Sequence, residues 1–166
     1  MEKISLELVD GSKCSLAEMI VKNKVTGESV LVATFGIGIK QIKMLLWEFD
    51  KVTIVIDSSH SSWQKKLWDR ILYMNDTNEK LTIKVAQIHA KLAIIDGEVA
   101  VITSANLSQN QFIESYVIGN VSEIKGSKKV IDFLNSIPDN SVDWDRNKLN
   151  ESKNELNESK NEWEWL

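Results

Sequence analysis

The dipeptide Asp96-Gly97, set between two apolar runs, constrains the fold of this 166-residue chain more than any other feature. Asp-Gly favours the left-handed backbone of a two-residue hairpin turn. Residues 89–95 and 99–103 read as the strands it joins. If Asp96 and Gly97 are the whole turn, Ile95 pairs with Glu98. That register sets His89 opposite Ser104 and Lys91 opposite Ile102. Side chains two apart on a strand share a face, and directly opposed ones do too. His89, Lys91 and Ser104 are therefore expected in one patch, with Asn106 just beyond. An imidazole, a cation and two neutral hydrogen-bonding groups at one hairpin end suit an anionic phosphodiester.

The rest of the chain supplies an α/β frame. Alternation at Ile4, Leu6 and Leu8 suggests a first strand. Ser15 with Glu18 predicts a capping box that opens a short helix. Apolar runs at 30–35 and 52–56 read as buried strands. Between them, Ile42, Leu45, Leu46 and Phe49 follow helical spacing. Ser61 or Ser62 caps a helix carrying Trp63, Leu67, Ile71 and Leu72. Strands follow at 81–86, 89–95, 99–103 and 116–121, and a last helix holds Val130, Leu134 and Ile137 before Pro138 stops it. Strands and helices alternate first and strands cluster later, so the expected fold is a mixed β-sheet flanked by helices in a single domain. Gly36 and Gly38 read as a tight turn, and His60 as structural or exposed.

The residue types carry a consistent chemistry. A neutral imidazole can attack phosphorus and hold the phosphoryl group covalently. Lysine neutralises the phosphoryl oxygens, and hydroxyl or amide donors share that load. No carboxylate cluster of the kind a two-metal nuclease uses lies nearby, so no metal and no cofactor are expected.

His89-x-Lys91-x-x-x-x-Asp96, followed by Ser104-x-Asn106, resembles the HxKxxxxD signature of the phospholipase D superfamily with its trailing Ser-x-Asn. The strand, glycine turn, helix and strand from 30 to 57 look like that family's opening β-α-β unit. The resemblance covers about residues 28–137. It implies that His89 is the nucleophile, that Lys91, Ser104 and Asn106 bind the phosphate, and that a downstream acid, Glu114, orients the histidine ring. Asp96 completes the signature, although a hairpin alone explains an aspartate before glycine. Thr103 departs from the pattern, since glycine often precedes the family's serine.

The same resemblance implies a partner. The family uses two such motifs across one site, and this chain holds one. A homodimer joined through the His89 face restores the pair. Small single-motif relatives are mostly nucleases, so the expected activity is cleavage of DNA or RNA. The alternatives are a phospholipid phosphodiesterase and a catalytically silent module that binds phosphate, nucleic acid or protein.

Charge and composition set outer bounds. The net charge of −4 lies entirely in the stretch from Asp139 onward, which holds eight acids and four bases. A catalytic domain over 1–138 is thus expected to precede an acidic tail over 139–166. Leu149-Asn150-Glu151-Ser152-Lys153-Asn154-Glu155 recurs from Leu156 to Glu162. One apolar position per heptad is too few for a coiled-coil seam, so a solvated tail is the reading. Its Trp163-Glu164-Trp165-Leu166 tip suits docking on a protein partner or on its own domain. With one cysteine, no leader-like start and no run of about 18 apolar residues, a cytoplasmic protein without a membrane span is expected.

Overall fold

The apolar runs become the centre of one sheet. The structure, a computed structural model, describes residues 4–59, 65–109 and 112–143. In chain order it contains β1 (Glu7–Asp10), α1 (Leu16–Lys22), β2 (Ser29–Thr34), α2 (Ile39–Glu48) and β3 (Lys51–Asp57). Then come α3 (Lys65–Thr77), β4 (Leu81–Ala86), β5 (Leu92–Ile95), β6 (Val99–Thr103), β7 (Ile113–Asn120) and α4 (Ser127–Ser136). The sheet order is β1-β7-β6-β5-β2-β3-β4. β2, β3 and β4 run parallel, and β5, β6, β7 and β1 continue the sheet antiparallel.

Helices cover both faces of the parallel part, which is why its strands are apolar on both sides. On one face, α1–α3 bury Leu16, Ile20, Ile42, Leu45, Trp68 and Ile71 against Val32, Ile54 and Ile83. On the other, Leu134 of α4 and Ile137 just after it lie over Ala33 and Val55. Each fully buried Ile or Leu contributes about 1.5–3 kcal/mol. The predicted capping box is present: Glu18 N–H donates to Ser15 Oγ at 3.4 Å, and Ser15 N–H donates to Glu18 Oε2 at 2.7 Å.

The expected hairpin register is corrected. The hairpin keeps its turn, with Asp96 and Gly97 at φ 50° and 70° and Glu98 N–H donating to Ile95 O at 2.9 Å. However, Ile95 pairs with Val99, not Glu98, and the register slips by one residue. Neighbours cause this: Asp96 N–H donates to Ser29 O at 3.0 Å, and Glu98 O accepts from Val121 N–H at 2.7 Å. These contacts draw Glu98 out as an extra residue. Lys91 therefore stands opposite Thr103, whose N–H donates to Lys91 O at 3.2 Å. The predicted pairings of His89 with Ser104 and Lys91 with Ile102 do not form.

At β1, Leu6 just before the strand and Leu8 within it are exposed and Val9 packs inward, because no described helix covers the outer face there. Packing also continues past Pro138. Val142 is buried in the core, and Ser141 Oγ accepts from Val85 N–H at 2.9 Å. His60, the Ser61–Ser62 cap, Trp63 and the repeat tail lie outside the described residues. No helix among the described residues is long and apolar enough to cross a membrane.

Candidate active site

The site is built where the carboxyl ends of β2 and β3 meet the start of β5 and the end of β6. Thr34 closes β2, and its buried hydroxyl joins two segments. Thr34 Oγ1 donates to Gly36 O at 2.6 Å and accepts from Leu107 N–H at 2.9 Å. The turn after β2 and the loop after β6 are thereby held together. Gly36 N–H donates to Asn106 Oδ1 at 3.1 Å. A β-carbon at Gly36 would meet Ser108 Oγ at 3.2 Å and Asn106 Nδ2 at 3.3 Å, so glycine permits this approach. With Oδ1 fixed, what Asn106 can offer an anion is its Nδ2 group.

His89, just before β5, meets the residue next to Gly36 in that turn. Its ring meets Phe35 edge to face, with centroids 5.2 Å apart and planes at 63°. Such a pair is worth about 0.5–1.5 kcal/mol, enough to restrict an exposed imidazole. Ile88, Ala90 and Leu92 pack on the α4 side, while His89 between them is exposed. The structure thus brings His89 and Asn106 together through the consecutive residues Phe35 and Gly36. Lys91 follows on the same strand edge, half-buried, with no ion pair to a described residue.

Asp57 is a contributor that the sequence reading missed. It ends β3, is buried, and accepts from Ser59 N–H at 2.9 Å and Ile88 N–H at 3.0 Å. The latter bond fixes the backbone next to His89. The signal was available: an aspartate closing the buried apolar run Ile54-Val55-Ile56 needs partners for its carboxylate.

Ser104 and Glu114 form a second pair. Glu114 is buried on β7, and the Ser104 hydroxyl donates to its Oε2. Ser104 Oγ also accepts from Ser115 N–H at 3.0 Å. The hydroxyl proton points at a carboxylate, so Ser104 links Glu114 to the loop after β6. Thr103 explains its departure from the family's glycine. Its Oγ1 donates to Ser115 O at 2.8 Å and accepts from Ala105 N–H at 2.9 Å, bracing the turn that delivers Ser104 and Asn106.

Asp96 is not brought to this end. Strand β5, about 13 Å long at the usual rise, separates it from Lys91. Its carboxylate accepts from Ser29 N–H at 2.8 Å and Glu28 N–H at 3.1 Å, pinning the turn to the start of β2. The Ser29 backbone bond chiefly holds the Asp96 carboxyl below its ordinary value. Cys14 is buried, and burial pushes its thiol up, away from the reactive form. Among the described residues, no cluster of His, Cys, Asp and Glu could hold a metal ion.

The fold has counterparts among known proteins. The family model described as "Cardiolipin synthase, PLD-like domain" matches residues 30–135. NucT from Helicobacter pylori superposes with a TM-score of 0.58 at 17% identity, covering 81% of this chain and 96% of that one. Nuc from Salmonella typhimurium, described as a phospholipase D family member, gives 0.58 at 16% identity, covering 81% and 94%. A phosphatidylserine synthase from Haemophilus influenzae gives 0.56 at 9% identity, covering 84% of this chain and 40% of that one. No curated protein sequence matches the chain significantly.

Proposed function

The chain belongs to the phospholipase D superfamily, and from that premise we propose that it is a metal-independent nuclease that cleaves DNA or RNA as a homodimer. The observation that carries the reading is the convergence of His89 and Asn106 on Phe35–Gly36, with Lys91 two residues along the same edge. A nucleophile, an amide donor and a cation border one open end of the sheet.

In this mechanism the neutral His89 imidazole attacks phosphorus. A P–N bond forms as the P–O bond to the leaving oxygen breaks. Lys91 and Asn106 Nδ2 stabilise the charge that builds on the non-bridging oxygens. The leaving oxygen takes a proton from His89 of the partner subunit, acting as an imidazolium. Water then attacks the phosphohistidine, gives its proton back to that partner histidine, and releases the phosphate ester. Asp57 positions the His89 backbone, and Glu114 acts by way of Ser104.

Phe112 and Ile113 support approach by a second copy. They are 75% and 69% exposed immediately before Glu114, at the same end of the sheet as His89. The activity is tested by incubating purified protein with plasmid, single-stranded DNA, RNA and phosphatidylcholine in excess EDTA. Cleavage of a nucleic acid is the expected result. Turnover of phosphatidylcholine alone would reassign the substrate, and no turnover on any of the four would overturn the reading.

A further inference from the structure

A second surface lies outside the site. A groove of about 650 Å³ runs between α1, α2 and α3. Its apolar lining is Val21, Ile39, Met44 and Trp47. Val21 is 39% exposed and Trp47 is 89% exposed, so two large apolar side chains on neighbouring helices stand open to solvent. Lys40, Lys43 and Arg70 rim the groove against one acid there, Glu48. Lys40 pairs with Glu18 at 4.0 Å, and among the described residues Lys43 and Arg70 form no ion pair. An apolar floor with a basic rim calls for a ligand that is apolar and acidic together. A phosphate backbone would not fill the floor, and a neutral apolar helix would leave the rim unmatched.

This chain carries such a ligand. Residues 155–166 hold Glu155, Glu158, Glu162 and Glu164 against the single Lys160, with Trp163, Trp165 and Leu166 among the acids. Aromatic side chains flanked by carboxylates match a Trp-lined groove rimmed by Lys and Arg. Val142 is buried in the core cluster that α1–α3 share, so the chain leaves the described body on the groove's side of the sheet. The 23 residues from 144 to 166 can span up to about 75 Å when extended, against a radius of gyration of about 15 Å for a body this size. The connection is long enough.

We propose that the groove between α1, α2 and α3 binds the chain's own Trp163-Glu164-Trp165-Leu166 segment. The tail is then an intramolecular ligand of the domain. The groove adjoins the start of α2, which follows the Gly36–Gly38 turn of the site, so an occupied groove places acidic side chains beside the path of an anionic substrate.

The test uses the full chain and a labelled synthetic peptide of residues 155–166, followed by fluorescence anisotropy. The Trp163→Ala/Trp165→Ala chain, whose groove is vacated, should bind the peptide. Adding Lys43→Glu and Arg70→Glu, both on exposed helix faces, should weaken binding about tenfold or more while circular dichroism stays unchanged. The unaltered chain should bind the peptide much more weakly than the Trp-substituted chain, because its own tail competes. Equal binding to the unaltered and Trp-substituted chains would overturn the proposal. So would binding that ignores the charge reversals, or no binding at all. A labelled single-stranded oligonucleotide serves as the competing probe. If the charge reversals remove oligonucleotide binding and spare the peptide, the groove belongs to nucleic acid and the proposal fails.

Discussion

Asp57 Oδ2 accepts the backbone N–H of Ile88 at 3.0 Å, tying the end of β3 to the residue before His89. Asp57→Ala leaves that N–H without its partner, at a cost of about 1–3 kcal/mol. It also frees the segment that carries the nucleophile. We expect kcat to fall roughly 10–100-fold with KM little changed, since misplacement of a reacting group acts on the chemical step. Asp57→Asn, which keeps one acceptor oxygen, should recover part of the loss. Steady-state kinetics beside urea melts check both effects. A stability loss with unaltered kcat would make Asp57 purely structural.

Substitutions in the site should separate by role. His89 is exposed, so His89→Ala should abolish turnover while costing no more than its ring contact with Phe35, a fall of a few degrees in melting temperature. Lys91→Ala should lose most of the rate. Asn106→Ala should lose about 10²–10³-fold, the usual cost of one transition-state donor. Activity of the unaltered chain should survive excess EDTA. Loss in chelator with recovery in magnesium would refute histidine chemistry.

Asp96 should matter to stability and not to turnover. Hydrogen bonds from Ser29 and Glu28 lower its pKa in the folded state. The stabilisation is therefore present above the ordinary value of 3.8 and is lost as pH falls through the lowered one. Asn tolerates the left-handed φ of 50° at this position, so Asp96→Asn isolates the charge. The stability gap between the two chains should be widest near neutral pH and should close on acidification below about 4. Denaturant midpoints across pH measure it, and turnover per folded molecule should be equal at neutral pH.

The dimer makes a counting prediction. One histidine cannot be the covalently linked nucleophile and protonate the leaving oxygen in the same step. Sedimentation should report about twice the 18.9 kDa chain mass. Dual-tagged mixed dimers of unaltered and His89→Ala chains should be strongly impaired, because each site needs both imidazoles. An active monomer, or a mixed dimer with half the normal rate, would refute the shared site.

Much of this was legible in the sequence because it is local. The Ser15–Glu18 capping box, the buried parallel strands and the Asp96-Gly97 turn each follow from residues close together in the chain. The hairpin register was not legible, since Ser29 and Val121, far from the turn, displace Glu98. Thr34 and Asp57 were also missed as organisers of the site, because their partners, Leu107 and Ile88, lie 73 and 31 residues away. The outward face of Leu6 and Leu8 depends on which part of the sheet the helices cover. Alternation alone marks a strand and does not say which side meets the core.

The most direct test of the central claim is capture of the covalent intermediate. A phosphodiester substrate from the panel is mixed with the protein in EDTA, quenched at neutral to alkaline pH within the first turnover, and peptide-mapped by mass spectrometry. The account predicts an acid-labile phosphoryl adduct on His89, absent from the His89→Ala chain. Turnover with no adduct under any quench, or an adduct on another residue, would contradict it.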